Sequence, residues 1–389
     1  MSKSYTRKSL SQTLLRATQM TGMGRLLDAT RLIQHALLGL GVNTAKKRAA
    51  SPEPQRQPPR AAAGNAAPGP VSAPVSTPSR QEPAAPRTPK APTFSEDTFV
   101  FDGEPYPYRL YIPAAPDSAA ASSQAPMPLV VLLHGCKQNA QDFARGTAMN
   151  ALADEHQCMV LYPEQIAKSN SQRCWNWFEP GHQQLDQGEP GMIAALTRHV
   201  LAGDYKGRQA DPARVYVAGL SAGGAMAAVV AGLYPGIFAA VGVHSGLPSG
   251  AAQDLLSAFG AMRRGAKGQA TPAMPTIVFH GSADRTVHPD NGEHISDAAL
   301  AALRASGLAL VKSRSTVGAA TEQGSTERVV YRAADGPSYV EHWRVDAGPH
   351  AWSGGDAAGS YTDPDGPSAS AAMLAFFLQH KRQATAARN

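Results

Sequence analysis

Val215-Tyr216-Val217-Ala218-Gly219-Leu220-Ser221-Ala222-Gly223-Gly224-Ala225-Met226-Ala227 reads as an apolar strand that runs into G-x-S-x-G and then into a small-residue helix. That context is the one a nucleophile elbow requires, with the serine exposed on a strained turn at a strand's carboxyl end. Side chains at Gly219 or Gly223 are expected to collide with the adjoining strand and helix. Ser221 is therefore the expected nucleophile.

A serine hydroxyl needs a general base, and the base needs an orienting carboxylate. Read outward toward the C-terminus, Thr276-Ile277-Val278-Phe279-His280 is a strand that ends in Gly281-Ser282-Ala283-Asp284, which projects Asp284 beyond the sheet. Asp290 and Asp346 compete less well on topology. His350 follows the strand Glu341–Val345 and the turn Asp346-Ala347-Gly348-Pro349. Among its rivals, His342 lies within that strand, while His288 and His294 follow Asp284 too closely. Acyl transfer also needs donors for a tetrahedral oxyanion. The expected donors are the backbone N–H groups of Ala222, next to the nucleophile, and of Cys136, after the strand Leu129–Leu133 and His134-Gly135.

Further β-rich runs at Tyr108–Ile112, Met159–Tyr162 and Ala240–His244 alternate with helical stretches at 142–156, 191–201 and 223–233. This rhythm predicts an α/β fold, a mostly parallel sheet with helices on both faces, over residues 94–382. Residues 383–389 are expected to form a flexible tail.

Ahead of this region the texture differs. Leucines and methionines from Leu10 to Leu38 recur at helical spacing, predicting an amphipathic segment over 1–43. Residues 44–93 hold twelve prolines among Ala, Ser and Gln, and predict a disordered linker. The net charge of +6 comes from 36 Lys and Arg against 30 Asp and Glu, much of the excess lying before residue 95. No aromatic residues interleave the charges of the Pro-rich stretch, so no specific nucleic-acid partner is expected. Polar residues interrupt every N-terminal apolar cluster, against a secretory signal and toward a cytoplasmic protein, although a basic, acid-free start also suits a cleaved transit peptide. No apolar run approaches the roughly 18 residues of a membrane span. Cys136, Cys158 and Cys174 show no paired spacing for structural zinc, and neither metal nor cofactor is expected.

The chain resembles the polyhydroxybutyrate depolymerase family of esterases, relatives of the feruloyl and acetyl-xylan esterases. The likeness is carried by Leu133-His134-Gly135-Cys136, Leu161-Tyr162-Pro163-Glu164-Gln165, Cys174-Trp175-Asn176-Trp177-Phe178, Gly242-Val243-His244-Ser245-Gly246, His280-Gly281-Ser282-Ala283-Asp284 and Gly348-Pro349-His350-Ala351-Trp352, with the stretch around Ser221. The resemblance implies an α/β-hydrolase fold and a Ser-Asp-His triad, which matches Ser221, Asp284 and His350. It also implies hydrolysis of hydroxyalkanoate esters, with feruloyl or acetyl-xylan ester hydrolysis as the alternative. A third reading is a binding protein that retains the fold without catalysis. Trp175, Trp177 and Trp352 are the expected apolar walls of an acyl pocket, with core packing as the alternative for Trp175 and Trp177. Family members often carry cysteines at Cys136 and Cys174 that could bridge, and the pairing is left open. Many members are secreted, so an extracellular location is the alternative to a cytoplasmic one. The N-terminal segment resembles that of signal-less members, which implies a polymer granule or anionic surface as partner, with a helix packed against the catalytic domain as the alternative.

Overall fold

The computed structural model describes residues 91–114, 125–205, 207–321 and 324–382. The amphipathic segment expected over 1–43, the linker up to residue 90 and the tail 383–389 lie outside the described residues. β1 (Thr93–Phe101) begins inside the stretch expected to be linker. It pairs antiparallel with β2 (Glu104–Ile112). The remaining strands of the main sheet are β3 (Met127–Leu133), β4 (Met159–Pro163), β5 (Ala210–Leu220), β6 (Ala240–His244), β7 (Thr276–Gly281), β8 (Val311–Thr321), β9 (Gly324–Arg332) and β10 (Ser338–Val345).

The order β1-β2-β4-β3-β5-β6-β7-β10-β9-β8 makes one sheet of ten strands. From β4 to β10 every neighbour is parallel, and an antiparallel pair flanks each side. Successive side chains of a strand face opposite sides, and β3 shows what this does here. Leu129, Val131 and Leu133 pack with Met192 and Leu196 of α3 (Gly188–Ala202) and Met226 and Val230 of α4 (Ala222–Leu233). Val130 and Leu132 pack on the other face with Phe143 of α1 (Ala140–Thr147), Met149 of α2 (Met149–His156) and Phe377 of α7 (Ala369–Phe377). Burial on both faces explains the uninterrupted apolar run of β3. α5 (Leu255–Arg264) and α6 (Asp290–Ala305) complete the helical layers, and β11 (Trp352–Ser353) pairs with β12 (Thr362–Asp363).

The helix expected over 142–156 is two helices. Ala148 separates them with a left-handed φ of 50°. The break has a tertiary cause, because the Gly146 carbonyl accepts the Asp356 N–H at 2.8 Å and the Thr147 carbonyl accepts the Ser370 hydroxyl at 2.6 Å. A continuous helix would have used both carbonyls for its own i to i+4 bonds.

Candidate active site

β5 delivers Ser221 at its carboxyl end with φ 58° and ψ −119°, a backbone conformation that side chains rarely adopt. Its N–H donates to the His244 carbonyl at 2.9 Å, which pins the turn to β6. The turn closes only because its flanks lack side chains. A Cβ on Gly219 would lie 2.4 Å from the Gly223 carbonyl carbon, and one on Gly223 would lie 2.1 Å from the Leu133 carbonyl oxygen. The collision expected from the sequence is thus with β3 and the first turn of α4.

The loop after β7 carries Asp284. Its Oδ1 accepts the N–H groups of Thr286 at 2.8 Å and Val287 at 2.9 Å. Its Oδ2 lies 2.7 Å from His350 Nδ1 and 3.4 Å from His280 Nε2. Burial by itself pushes the Asp284 carboxyl up, but hydrogen bonds from His280 and His350, the His350 charge and the Val287 N–H together hold it well below the usual carboxylate range. An ionised Asp284 can only accept, so His350 Nδ1–H donates to it. His350 Nε2 then accepts the Ser221 hydroxyl at 2.9 Å.

His350 reaches this position through the turn after β10. A Cβ on Gly281 would sit 2.1 Å from the Gly348 carbonyl oxygen, so the loops bearing Asp284 and His350 meet where neither needs room for a side chain. The Ser282 N–H donates to the Val345 carbonyl at 2.8 Å and the Ala283 N–H to the Gly348 carbonyl at 3.1 Å. The structure therefore brings together Ser221, Asp284 and His350, which stand 129 and 66 residues from one another along the chain. The rivals are placed elsewhere. Asp346 accepts the Ser282 hydroxyl at 3.1 Å, Asp290 lies 3.4 Å from His288, and His294 Nδ1 is 3.0 Å from the Ala266 carbonyl. His342 is carried by β10 itself.

Ala222 opens α4, where the first N–H groups have no partner within the helix and the helix dipole favours negative charge. On the facing loop, the Gly135 N–H is taken by Gln138 Oε1 at 2.9 Å, while the Cys136 N–H donates to no hydrogen bond among the described residues. Cys136 forms a disulfide with Cys174, the pairing that the sequence left open, and Cys158 is free and buried. His134 underlies the loop: its Nδ1 donates to the Gly135 carbonyl at 2.8 Å and its Nε2 accepts the Gln165 N–H at 3.1 Å. Burial holds its imidazole down to about 4, which keeps it neutral as this pairing needs. Gln165 in turn donates at 2.5 Å to the buried carboxylate of Glu189, which also accepts the Asn176 N–H at 2.6 Å. Gln165 ends one of the stretches that carry the family likeness, whereas Glu189 stands in none of them.

Trp352, expected as a pocket wall, is a core residue, and Trp175 and Trp177 take the core-packing alternative. Trp175, Trp177 and Trp352 are 0%, 4% and 1% exposed. Trp175 donates to the His134 carbonyl at 3.1 Å, and Trp352 donates to the Ser370 hydroxyl at 3.0 Å while packing edge-on against Phe143. Their indole faces are taken up by protein, which leaves them to support the loops around the site.

Residues 106–316 match the family described as esterase PHB depolymerase. The chain belongs to that family. Ser221 and Asp284 fall within the matched residues, and His350 lies beyond them. Among relatives of this family member is poly(3-hydroxyalkanoate) depolymerase C of Paucimonas lemoignei, 38% identical over 179 residues that cover 42% of each chain. Another is feruloyl esterase B of Thermothelomyces thermophilus, 30% identical over 43% of this chain and 62% of that one. The chain thus spans less than two thirds of the length of either relative. An acetyl xylan esterase from Aspergillus awamori shares the fold, with a TM-score of 0.51 at 20% identity over 66% of this chain and 94% of that one. The fold is that of the α/β-hydrolases, as the resemblance implied.

Proposed function

We propose that the protein is a serine esterase that cleaves short-chain hydroxyalkanoate esters, as polymer or oligomers, through an acyl-enzyme. The observation that carries this reading is the unbroken path from Asp284 Oδ2 to His350 Nδ1 at 2.7 Å and from His350 Nε2 to Ser221 Oγ at 2.9 Å. Ser221 Oγ attacks the ester carbonyl and its proton passes to His350 Nε2, while Asp284 stays ionised and stabilises the imidazolium. The oxyanion accepts from the N–H groups of Ala222 and Cys136. His350 then protonates the departing alkoxide, and water attacks the acyl-enzyme along the same proton path in reverse. Every step is carried by side chains and backbone groups of this chain.

The name of the Paucimonas lemoignei relative supports a polyester substrate, and that of the feruloyl esterase supports the alternative of plant-wall esters. For the compartment, the Cys136–Cys174 bridge favours an oxidising environment, and so the extracellular alternative over the cytoplasmic expectation.

The test is Ser221→Ala assayed with p-nitrophenyl butyrate, 3-hydroxybutyrate oligomers and methyl ferulate. Turnover is expected to fall at least about 1000-fold, given what removal of a triad member costs, with oligomers preferred by the wild type. A folded Ser221→Ala that retains full turnover removes the assignment, and preference for methyl ferulate transfers it to the alternative. A wild type that no fluorophosphonate labels favours a binding protein without catalysis.

A further inference from the structure

His244 ends β6 and is 1% exposed. It touches both halves of the site. Its carbonyl accepts the Ser221 N–H at 2.9 Å, and its ring Nε2 accepts the Ser353 N–H at 3.0 Å. Ser353 stands three residues beyond His350 and is itself buried. The other ring nitrogen, Nδ1, lies 3.3 Å from Ser245 Oγ, where its proton has an acceptor. The ring is stacked between Phe279 of β7, at 5.7 Å and 20°, and Trp352, at 5.1 Å and 27°. Main chain, ring nitrogens and both ring faces are therefore all engaged.

We infer that His244 is a positioning residue that sets the separation between Ser221 and His350 by holding the nucleophile turn through its carbonyl and the histidine loop through Nε2. The inference rests on the esterase reading of this site. Because His244 touches no reacting atom, it acts through the groups it holds. A contact of 2.9 Å between Oγ and Nε2 tolerates little drift, and a displacement of about 1 Å in such a pair costs on the order of 100-fold in rate.

The role demands a neutral imidazole, since only an unprotonated Nε2 can accept the Ser353 N–H. The surroundings enforce this. Burial first, then the positive charge that His280 and His350 can carry, push His244 down to about 3, against the smaller opposing influence of Asp284. These three groups, with Ser245 and the two aromatic rings, are what faces it from β7, the Asp284 and His350 loops and β11. A charge arising on His350 during turnover therefore does not transfer to His244, and the clamp persists while the catalytic imidazole cycles.

Two substitutions separate the clamp from simple packing. His244→Phe keeps a flat ring between Phe279 and Trp352 but leaves the Ser353 N–H without an acceptor, whereas His244→Gln restores an acceptor oxygen. With p-nitrophenyl butyrate, His244→Phe is expected to lower kcat by about 10- to 100-fold with KM within about 2-fold. His244→Gln is expected to recover most of that loss, and fluorophosphonate labelling of Ser221 should slow in the same order. Unchanged kcat in folded His244→Phe overturns the inference and leaves the esterase reading intact. A folded His244→Gln that loses as much as His244→Phe also overturns it, because restoring an acceptor for the Ser353 N–H would then recover nothing. If the wild type itself turns over no ester, the esterase reading fails. The clamp is then decided by crystal structures of the variants, in which an unmoved contact between Ser221 and His350 in His244→Phe refutes it.

Discussion

Single atoms decide whether this site exists. The Leu133 and His134 carbonyl oxygens would lie 2.1 Å and 2.5 Å from a Cβ on Gly223, and both belong to the backbone of the β3 end. Neither can swing away as a long side chain would. Gly223→Ala is therefore expected to displace the strand end that carries Cys136, with a destabilisation of about 3 kcal/mol and loss of fluorophosphonate labelling. Denaturant melts read beside the labelling rate check both, and a variant as stable and as reactive as the wild type refutes the argument. The residues around Ser221 were legible because steric exclusion leaves a pattern in the sequence, glycine on each side of the serine. Trp352 was less legible for the converse reason. A large ring near a histidine in sequence carries no mark of which side of the sheet it faces, and Trp352 faces the packed side, against Phe143 and His244.

At the level of elements, the disulfide joins the loop after β3 to the Trp175 segment across 38 residues. Closing a loop of that length stabilises the folded chain by about 4 kcal/mol in the chain-entropy model. Cys174→Ser is accordingly expected to melt earlier and to lose more in kcat than in KM, because the Cys136 N–H is then held less firmly. Melting and steady-state kinetics in parallel decide this, and a variant that loses stability without losing kcat would show the bridge to be structural only. The parallel strands were readable because burial on both faces demands unbroken apolar runs, as in β3, β4 and β6. β1 was missed because its side chains are largely exposed, as was the polar edge strand β8, where Lys312, Arg314 and even Val311 face solvent. α7 escaped notice for another reason: Ala369, Met373, Leu374, Phe376 and Phe377 are buried around much of its circumference, which erases the amphipathic period. The break at Ala148 is set by Asp356 and Ser370, partners more than 200 residues away that no local pattern records.

For the whole molecule, buried histidines tie stability to pH. Burial lowers His134, His342 and His380 to about 4, and burial with neighbouring charge lowers His244 to about 3. Unfolded, each would titrate near about 6.5. Above that pH these groups are neutral in both states and their contribution is level. As the pH falls from about 6.5 toward 4 the unfolded chain takes up protons that the folded one refuses, so stability drops by up to about 5 kcal/mol per pH unit. Asp284, whose folded value is depressed, adds its own loss only below the unfolded carboxylate range near about 4. Urea midpoints measured from pH 8 to pH 4 are expected to stay flat and then fall steeply below about 6.5. A midpoint that holds constant down to pH 4.5 would contradict the burial of these rings.

The placement of Ser221, Asp284 and His350 just beyond the ends of β5, β7 and β10 has a kinetic meaning as well. Contacts spanning 66 and 129 residues form only after the intervening chain has surrendered its loop entropy. A nascent chain, or one refolding from denaturant, can thus complete β3 to β6 and much of the helical layer while it still lacks a working site. A chain in which β10 has yet to dock holds its serine without its histidine, and so is folded in part but idle.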